Sequence, residues 1–343
     1  MKLLDVINNG GVYTIAEMSA NHAGKIENAL AIVHAAKEAG ADCLKIQTYT
    51  ADTLTLNCDN EYFRLHGGLW DGYNYYQLYQ DAGTPWEWTW QIKEECEKLG
   101  LDFLSTPFDK TSVDFLEEVG VEFYKIASFE LVDIPLIEYI ASKGKPMIVS
   151  CGLGSIEEIQ QMLDAAHRQG NDQVILLKCT SEYPAHVEDM RLSLIPDMKE
   201  RFGVPVGLSD HSMGHLAAVT AVALGACVIE KHFCLDRSIK NPDSNFSMEP
   251  AEFREMVENV KMAKAAVGKP SYELLPREKA ERRNLRSLFV SKDIKKGEAF
   301  TEENVRSVRP GYGLSPARYW EVLSRTAACD IPFGTPLKEE HLG

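Results

Sequence analysis

Two histidines stand at the ends of two successive apolar runs in the second half of the chain. His211 closes the run GLSDH at residues 207–211, and His232 lies in VIEKHF at residues 228–233. Neighbouring strands of a barrel end at one rim, so both imidazoles can reach one metal ion. Each has a carboxylate nearby in the sequence, a common outer partner of metal-bound histidine. The pair predicts a metal site with positions left for water or substrate; ordinary packed or solvated histidines are the alternative.

Two lysines interrupt otherwise apolar runs. Lys45 lies in CLKIQ and Lys125 in YKIA. A buried ammonium is costly unless an anion pairs with it. Hydroxyl groups that can bind the same anion follow at the ends of neighbouring runs, at Thr106, Ser128 and Ser150. The set favours a phosphate or carboxylate ligand, and salt bridges to internal carboxylates are the alternative.

Two acids also fall at the predicted rim. Glu17 and Glu130 are candidates for proton transfer or for binding hydroxyl groups, and either can instead neutralise a lysine. Lys178 offers a competing hypothesis, a barrel aldolase that forms a Schiff base. The sequence has no glycine-rich nucleotide loop of the usual spacings, so neither ATP nor NAD is expected.

The elements that would position these residues alternate between short apolar runs and helical periodicity. That alternation is typical of parallel strands with helical crossovers. Helices are predicted at residues 27–39, 86–99 and 155–169 from caps and terminal glycines. Eight runs favour a closed (β/α)8 TIM barrel over an open sheet. The runs are residues 12–17, 43–47, 102–106, 123–127, 147–151, 174–179, 206–209 and 228–232.

The composition changes after Gly268. We predict a barrel domain at residues 1–268, a polar linker at 269–285 and a small domain of short strands and turns at 286–343. An irregular loop at residues 50–85 is rich in tyrosine and includes Trp70. A structureless stretch of this length is usually functional, and an aromatic plug over the barrel edge is the alternative.

Composition excludes several classes of function. The 343 residues are 45% hydrophobic and 25% charged, as in a globular protein, and the formal net charge is -15. That charge argues against a nucleic-acid or anionic-membrane binder. The eight cysteines are scattered, which is typical of a reducing cytoplasm. No run has the length of a membrane helix and the first residues lack a signal peptide, so we expect a cytoplasmic protein.

Collinear segments of the chain resemble the sialic acid synthase family. They are IAEMSANHAG (15–24), ADCLKIQTY (41–49), STPF (105–108), YKIASFE (124–130), KCTSEYP (178–184), GLSDH (207–211) and EKHF (230–233). The tail, with SKDIKKGE (291–298) and VRPG (308–311), is similar to the antifreeze-like (SAF) domain of those synthases. The segments GGLWD (67–71) and TPWEW (84–88) look most like the branch that makes pseudaminic acid.

The resemblance implies a condensation of phosphoenolpyruvate with an open-chain amino sugar, with release of phosphate. In the pseudaminic acid branch the sugar is 2,4-diacetamido-2,4,6-trideoxy-altrose. N-acetylneuraminate or legionaminate synthesis and a non-catalytic sugar-binding barrel are the alternatives. The resemblance also implies a divalent cation (Mn²⁺, Co²⁺ or Mg²⁺) and a domain-swapped homodimer, in which the small domain covers the partner's active site.

Site roles carry over position by position. His211 and His232 match the metal ligands. The groups around phosphoenolpyruvate are Lys45, Thr106, Lys125, Ser128, Ser150, Ser181 and Ser209. The positions facing the sugar or the reacting carbon are Glu17, Gln47, Tyr183, Asp243 and Arg309. At Ser181 the neuraminate synthases carry Asn, so this contact differs. For the proton of the attacking water, the first candidate is Glu17 and the second is Glu130.

Overall fold

The predicted strands close into a parallel barrel. A computed structural model of the chain describes residues 2–67 and 71–343. Each strand pairs with the next, and β8 returns to pair with β1. The TIM-barrel prediction is confirmed. The first and last residue of each strand lie within one residue of the predicted ends. The strands are β1 Tyr13–Glu17, β2 Cys43–Thr48, β3 Asp102–Pro107, β4 Tyr124–Ile126, β5 Met147–Ser150, β6 Val174–Cys179, β7 Val206–Asp210 and β8 Val228–His232.

Both faces of these strands are buried, which explains their nearly continuous apolar sequence. Alternate residues point into the barrel, and the others pack against the surrounding helices. Tyr13, Leu104, Phe123 and Ile148 belong to an apolar cluster inside the barrel. Leu3, near the start of the first helix, belongs to the same cluster. The lower part of the barrel interior is therefore apolar and packed.

Helices follow the strands and cover the barrel, and their ends carry ordinary capping signals. Ser155 and Glu158 form a capping box at the start of α8, and Gly120 ends α6 in the left-handed conformation. In the part of the chain that the structure describes, no helix is long and apolar enough to cross a membrane. The helices are α1 Lys2–Asn8, α2 Ile26–Glu38, α3 Ala51–Leu54, α4 Tyr75–Ala82, α5 Thr89–Lys98, α6 Lys110–Val119, α7 Ile134–Ala141, α8 Ile156–Arg168, α9 Leu194–Phe202, α10 Leu216–Ala223, α11 Pro250–Val267, α12 Pro276–Glu281 and α13 Tyr319–Leu323.

The stretch at residues 50–85 is more ordered than the sequence predicts. It contains α3 and α4, so the prediction of a structureless loop is wrong for these parts. The Asn74 side chain accepts a hydrogen bond from the Tyr76 backbone at the start of α4. The Tyr79 ring stacks on Tyr75 and meets Tyr49 edge-on. Helix capping and aromatic packing thus stabilise regular structure in this stretch. Trp70 lies outside the described residues.

The chain divides after Gly268 into two compact units, of which the second spans Lys269–Gly343. In the second unit, β9 (Ser287–Val290) pairs antiparallel with β10 (Val305–Val308). Leu288, Ile294 and Phe300 belong to its own apolar core. The predicted linker at residues 269–285 is exposed and carries α12.

Candidate active site

Polar side chains fill the carboxyl end of the barrel interior. Ile15 and Cys43 belong to the apolar interior cluster. Two residues further along the same strands, Glu17 and Lys45 point to the same side because side chains alternate along a strand. Lys125 on β4 likewise lies two residues after Phe123, which belongs to the same cluster. The barrel interior thus changes from apolar to charged between one inward-facing residue and the next on the same strand.

The charged layer is an internally paired cluster. Lys45 Nζ lies 2.8 Å from Glu17 Oε2 and 3.1 Å from Glu230 Oε1. Lys125 Nζ lies 3.6 Å from Glu230 Oε1 and donates to Ser150 Oγ at 2.8 Å. Internal carboxylates therefore supply partners for both lysines, as the salt-bridge alternative predicts. An incoming anion would have to compete with Glu230 for both ammonium groups.

Glu230 is the residue of this cluster that sequence reasoning did not select. It lies between the two lysines and also accepts a hydrogen bond from Ser209 Oγ at 3.1 Å. Burial acts against its ionised form, but the charges of Lys125 and Lys45 lower its pKa well below the usual range. Burial lowers the pKa of Lys45 to about 8. The layer pairs two lysines with two glutamates, so its formal charges balance.

Hydroxyl groups surround the upper edge of this layer. Thr106 Oγ1 is buried and has no hydrogen-bond partner. The Ser128 and Ser181 hydroxyls both lie close to Gly152, where an added Cβ would be 2.9 Å from Ser128 Oγ and 2.5 Å from Ser181 Oγ. Only glycine leaves room for both hydroxyls. Gly152 was missed, although its place just after β5 in the turn CGLG is a usable signal.

The two histidines meet at the rim with their ring centroids 5.5 Å apart. His211 Nδ1 lies 2.9 Å from the Thr180 carbonyl, which requires a proton on Nδ1 and leaves the Nε2 lone pair for another partner. His232 Nδ1 is buried without a hydrogen-bond partner. Both observations suit a site with two histidine ligands. Among the described residues, no group of three or more His, Cys, Asp or Glu is arranged to hold a metal ion.

The protonation preferences of the two histidines differ. Burial lowers the pKa of His232 well below its usual value, and the nearby charges of His211 and Lys45 act in the same direction. Burial also acts to lower the pKa of His211, but contacts with Cys179 and the Thr180 carbonyl outweigh it, so that pKa is raised. His232 is therefore neutral at physiological pH, the form that binds metals.

An aromatic wall adjoins the histidines. The Tyr183 ring centroid is 4.2 Å from that of His211 and 5.2 Å from that of Phe246, a residue that sequence reasoning missed. Asp243 lies in the same segment as Phe246 and accepts a hydrogen bond from the Ala20 backbone. Burial raises the pKa of Asp243. This wall offers apolar surface together with a buried carboxyl group.

Glu130 differs from Glu17 in its surroundings. It lies in a 3-10 helix just after β4, and its Oε2 atom is buried without a hydrogen-bond partner. Burial raises the pKa of Glu130 to about 7. Glu17 instead forms an ion pair with Lys45 and accepts a hydrogen bond from the Ser19 backbone. The unpaired acid is thus better suited to exchange a proton near neutral pH.

Three predicted residues lie apart from these contacts. Gln47 is partly buried on β2 and pairs in register with Thr106, with its side chain on the inner face. Lys178 follows the inward Leu177 on β6, so it faces the helix layer, where it donates to the Cys179 carbonyl. That orientation argues against the Schiff-base hypothesis. Arg309 is exposed and belongs to the second unit.

Comparison with known proteins assigns the chain to a family. The NeuB family model matches residues 32–272, which is more than half of the chain. The chain belongs to the NeuB family. A second model, the SAF domain, matches residues 286–343. The resemblance drawn from the collinear segments is confirmed, including the antifreeze-like tail.

Individual relatives show which members of the NeuB family this chain is similar to. It is 51% identical to a pseudaminic acid synthase of Campylobacter jejuni, over 96% of both chains. It is 44% identical to a pseudaminic acid synthase of Helicobacter pylori, over 96% of this chain and 97% of that one. A solved N-acetylneuraminic acid synthetase from Leptospira borgpetersenii has a TM-score of 0.71 and 32% identity, covering 79% of this chain and 90% of its own.

We predict that Glu130→Gln removes a pH-dependent penalty on folding. The folded-state pKa of about 7 is above the unfolded value, so wild-type stability falls as pH rises through that interval. The variant should therefore gain about 2–3 kcal/mol of unfolding free energy relative to wild type between pH 4.5 and pH 8. Denaturant unfolding at both pH values measures this. Exposed Glu118→Gln is the control, and an equal difference at both pH values would contradict the prediction.

Proposed function

We propose that the protein condenses phosphoenolpyruvate with 2,4-diacetamido-2,4,6-trideoxy-altrose and water, giving pseudaminic acid and phosphate. The observation that carries the proposal is a layer of two buried lysines and several hydroxyls directly below two facing histidines. The relatives that are 51% and 44% identical are pseudaminic acid synthases. A binding protein that only holds a sugar has no need of this buried charged layer.

Phosphoenolpyruvate would lie against the charged layer. Lys45 and Lys125 supply positive charge, and the unpartnered Thr106 hydroxyl is ready to donate. Binding an anion here costs part of the contacts with Glu230, but it replaces them with charge-assisted hydrogen bonds in a site shielded from water. Around these groups, the remaining proposed contacts are Ser128, Ser150, Ser181 and Ser209.

The proposed metal is Mn²⁺, Co²⁺ or Mg²⁺, held by His211 and His232. A divalent cation bound there would polarise the sugar aldehyde and orient water. His211 can present Nε2 because the Thr180 carbonyl fixes its Nδ1 proton. Tyr183 packs against the His211 ring and keeps bulk water from that side.

The chain's own residues supply the proton transfer and the charge stabilisation. The enol carbon of phosphoenolpyruvate attacks the aldehyde carbon, and water adds to the carbon that bears phosphate. Glu130 accepts the proton of this water because its Oε2 atom has no hydrogen-bond partner and its pKa is raised to about 7. The aldehyde oxygen takes up a proton and becomes a hydroxyl group. The hydroxyl added from water then loses its proton and becomes the ketone oxygen as the carbon–oxygen bond to phosphate breaks, and Lys45 and Lys125 stabilise the charge of the departing phosphate. Glu17 stays paired with Lys45 and orients it, which reverses the order of candidates expected from the sequence.

The sugar would occupy the aromatic wall above this layer. Gln47, Tyr183 and Asp243 can contact its amide and hydroxyl groups, and Phe246 gives apolar surface. The cluster of Tyr49, Tyr79 and neighbouring rings suits a deoxy sugar, whose methyl group needs apolar contact. A cytoplasmic location is proposed with it, because phosphoenolpyruvate is made there and all eight cysteines are free.

A panel of sugars tests the proposal. Metal-stripped protein is mixed with phosphoenolpyruvate and one sugar, and phosphate release and product mass are followed. We expect no turnover until Mn²⁺, Co²⁺ or Mg²⁺ is added, and the fastest turnover with the diacetamido altrose. His211→Ala and His232→Ala should each lose metal-dependent turnover while staying folded. Faster turnover of N-acetylmannosamine would overturn the choice of sugar, and full activity without metal would overturn the choice of cofactor.

A second prediction concerns Gly152. In Gly152→Ala the new methyl group would push Ser128 and Ser181 apart, because an ideal Cβ lies within 3 Å of both hydroxyls. Losing one or two hydrogen bonds to an anion should raise the KM for phosphoenolpyruvate about tenfold to a hundredfold. The KM for the sugar should change less. Leu153→Ala is the matched control, because it changes an exposed side chain in the same turn and adds no atom beside Ser128 or Ser181. An unchanged KM for phosphoenolpyruvate would contradict the role of this cradle.

We also propose a domain-swapped homodimer in which Arg309 contacts the sugar bound by the partner's barrel. Its support is the resemblance of the tail and the exposure of Arg309 in a unit separate from the barrel. The guanidinium group would supply fixed donors to an amide carbonyl.

Complementation between two inactive variants tests the dimer. Arg309→Ala keeps an intact barrel and His232→Ala keeps an intact arginine, so their mixed dimer can hold one complete site. We expect activity to return after subunit exchange, to at most about half of the wild-type level per mixed dimer. Confirmed exchange without recovery of activity would refute the swapped arrangement.

A further inference from the structure

We propose that the buried ion pair Asp210–Lys231 is a positioning pair that fixes the spacing of His211 and His232. The two charged residues immediately precede the two histidines in the sequence. They are also direct register partners on β7 and β8. This inference rests on the proposed metal site and concerns how the fold holds that site in place.

The pair lies on the opposite face of the strands from the histidines. Leu208 and Ile229 belong to the apolar layer outside the barrel, and Asp210 and Lys231 follow them at the next outward positions. Lys231 Nζ lies 2.7 Å from Asp210 Oδ2, and the side chains are only 1% and 0% exposed. Neither charge can therefore reach substrate or solvent. Whatever the pair contributes to the reaction, it contributes through the backbone.

The contacts of the pair hold His211 on both sides. Asp210 Oδ1 accepts hydrogen bonds from the Ser212 backbone at 2.9 Å and from the Ser212 hydroxyl at 2.7 Å. Lys231 Nζ donates to the Ser212 carbonyl at 2.5 Å. The residue before His211 and the residue after it are thus tied to one ammonium group. That group belongs to the residue before His232.

His232 is held in a similar way from its own strand end. Its backbone carbonyl accepts a hydrogen bond from the Met248 backbone at 2.9 Å. The next residue, Phe233, donates its backbone N–H to the Glu17 carbonyl at 2.8 Å. With Lys231 anchored to Asp210, the segments on both sides of His232 are fixed. The two imidazoles therefore share one rigid frame.

A buried ion pair is a poor way to gain stability alone, because desolvation opposes the attraction between the charges. An apolar pair of similar volume would pack in this layer as well. An apolar pair would not tie Ser212 to both strands through directed hydrogen bonds. The charged pair therefore contributes geometry more than stability, and the two contributions can be separated by experiment.

The test is the double variant Asp210→Asn with Lys231→Met, which removes both charges together and leaves no unpaired buried ion. Mn²⁺ is added to the metal-stripped full-length protein, and free Mn²⁺ is measured by electron paramagnetic resonance. We expect the Mn²⁺ Kd to rise about tenfold or more, as when partners behind metal ligands are removed. The melting temperature should stay close to that of wild type. A Kd within twofold of wild type in the folded double variant would overturn the proposal.

Two further variants distinguish failure of the proposed metal site from failure of the positioning role. Tyr13→Phe removes another buried polar contact, the 2.5 Å hydrogen bond to Asp102 at the amino end of the barrel, and should leave the Mn²⁺ Kd unchanged. His232→Ala should abolish Mn²⁺ binding. If it does not, the proposed metal site is wrong and the positioning pair falls with it. If only the double variant binds normally, the metal site stands and the positioning role is refuted.

The single variant Asp210→Asn covers the case in which the double variant fails to fold. Asparagine keeps an oxygen that can accept from Ser212 but removes the charge that holds Lys231. The Mn²⁺ Kd should again rise about tenfold. An unchanged Kd in the folded single variant would also overturn the proposal.

Discussion

The site depends on the placement of two ammonium groups inside a barrel where water cannot solvate them. Lys45 lies against Glu17 and Glu230, and Lys125 lies against Glu230, so that carboxylates offset the cost of burying both lysines. This constraint explains why the strands that carry these residues cannot slip in register, since a shift of one residue would exchange every inward side chain for an outward one. Strand register and the pairing of the buried charges thus depend on each other.

Much of the fold was readable from the sequence because strands buried on both faces leave a strong local pattern. Each strand was placed within one residue, and β6 and β8 were placed with both ends correct. The stretch at residues 50–85 was misjudged because its short helices depend on aromatic packing between distant rings, such as Tyr49 and Tyr79. Composition alone carries no signal for such contacts.

The site was readable in its residue types but not in its pairings. The lysines and histidines were selected because charge in an apolar run is unusual. Glu230 was not predicted, because its role depends on pairing with Lys45 and Lys125, which lie far from it in the sequence. Gly152 escaped because its function is the absence of a side chain, which becomes visible only once Ser128 and Ser181 are placed. The reversed ranking of Glu130 and Glu17 likewise rests on which acid has a partner.

The apolar floor of the barrel also dictates an order of events. With Leu3 and the interior cluster packing the lower end, ligands have to come and go through the mouth between the strand ends. Glu230 lies two residues before His232 on β8, about 7 Å along the strand, and the ammonium groups of Lys45 and Lys125 lie 3.1 Å and 3.6 Å from its Oε1 atom. On the proposed function, phosphoenolpyruvate held by the lysines would enter first, because a sugar bound against Tyr183 and His232 would block its path. In the proposed reaction the sugar therefore joins an already loaded enzyme, and phosphate released at the bottom leaves only after the nine-carbon product has moved out of the way. A barrel closed at one end thus ties the proposed chemistry to a fixed order of binding and release.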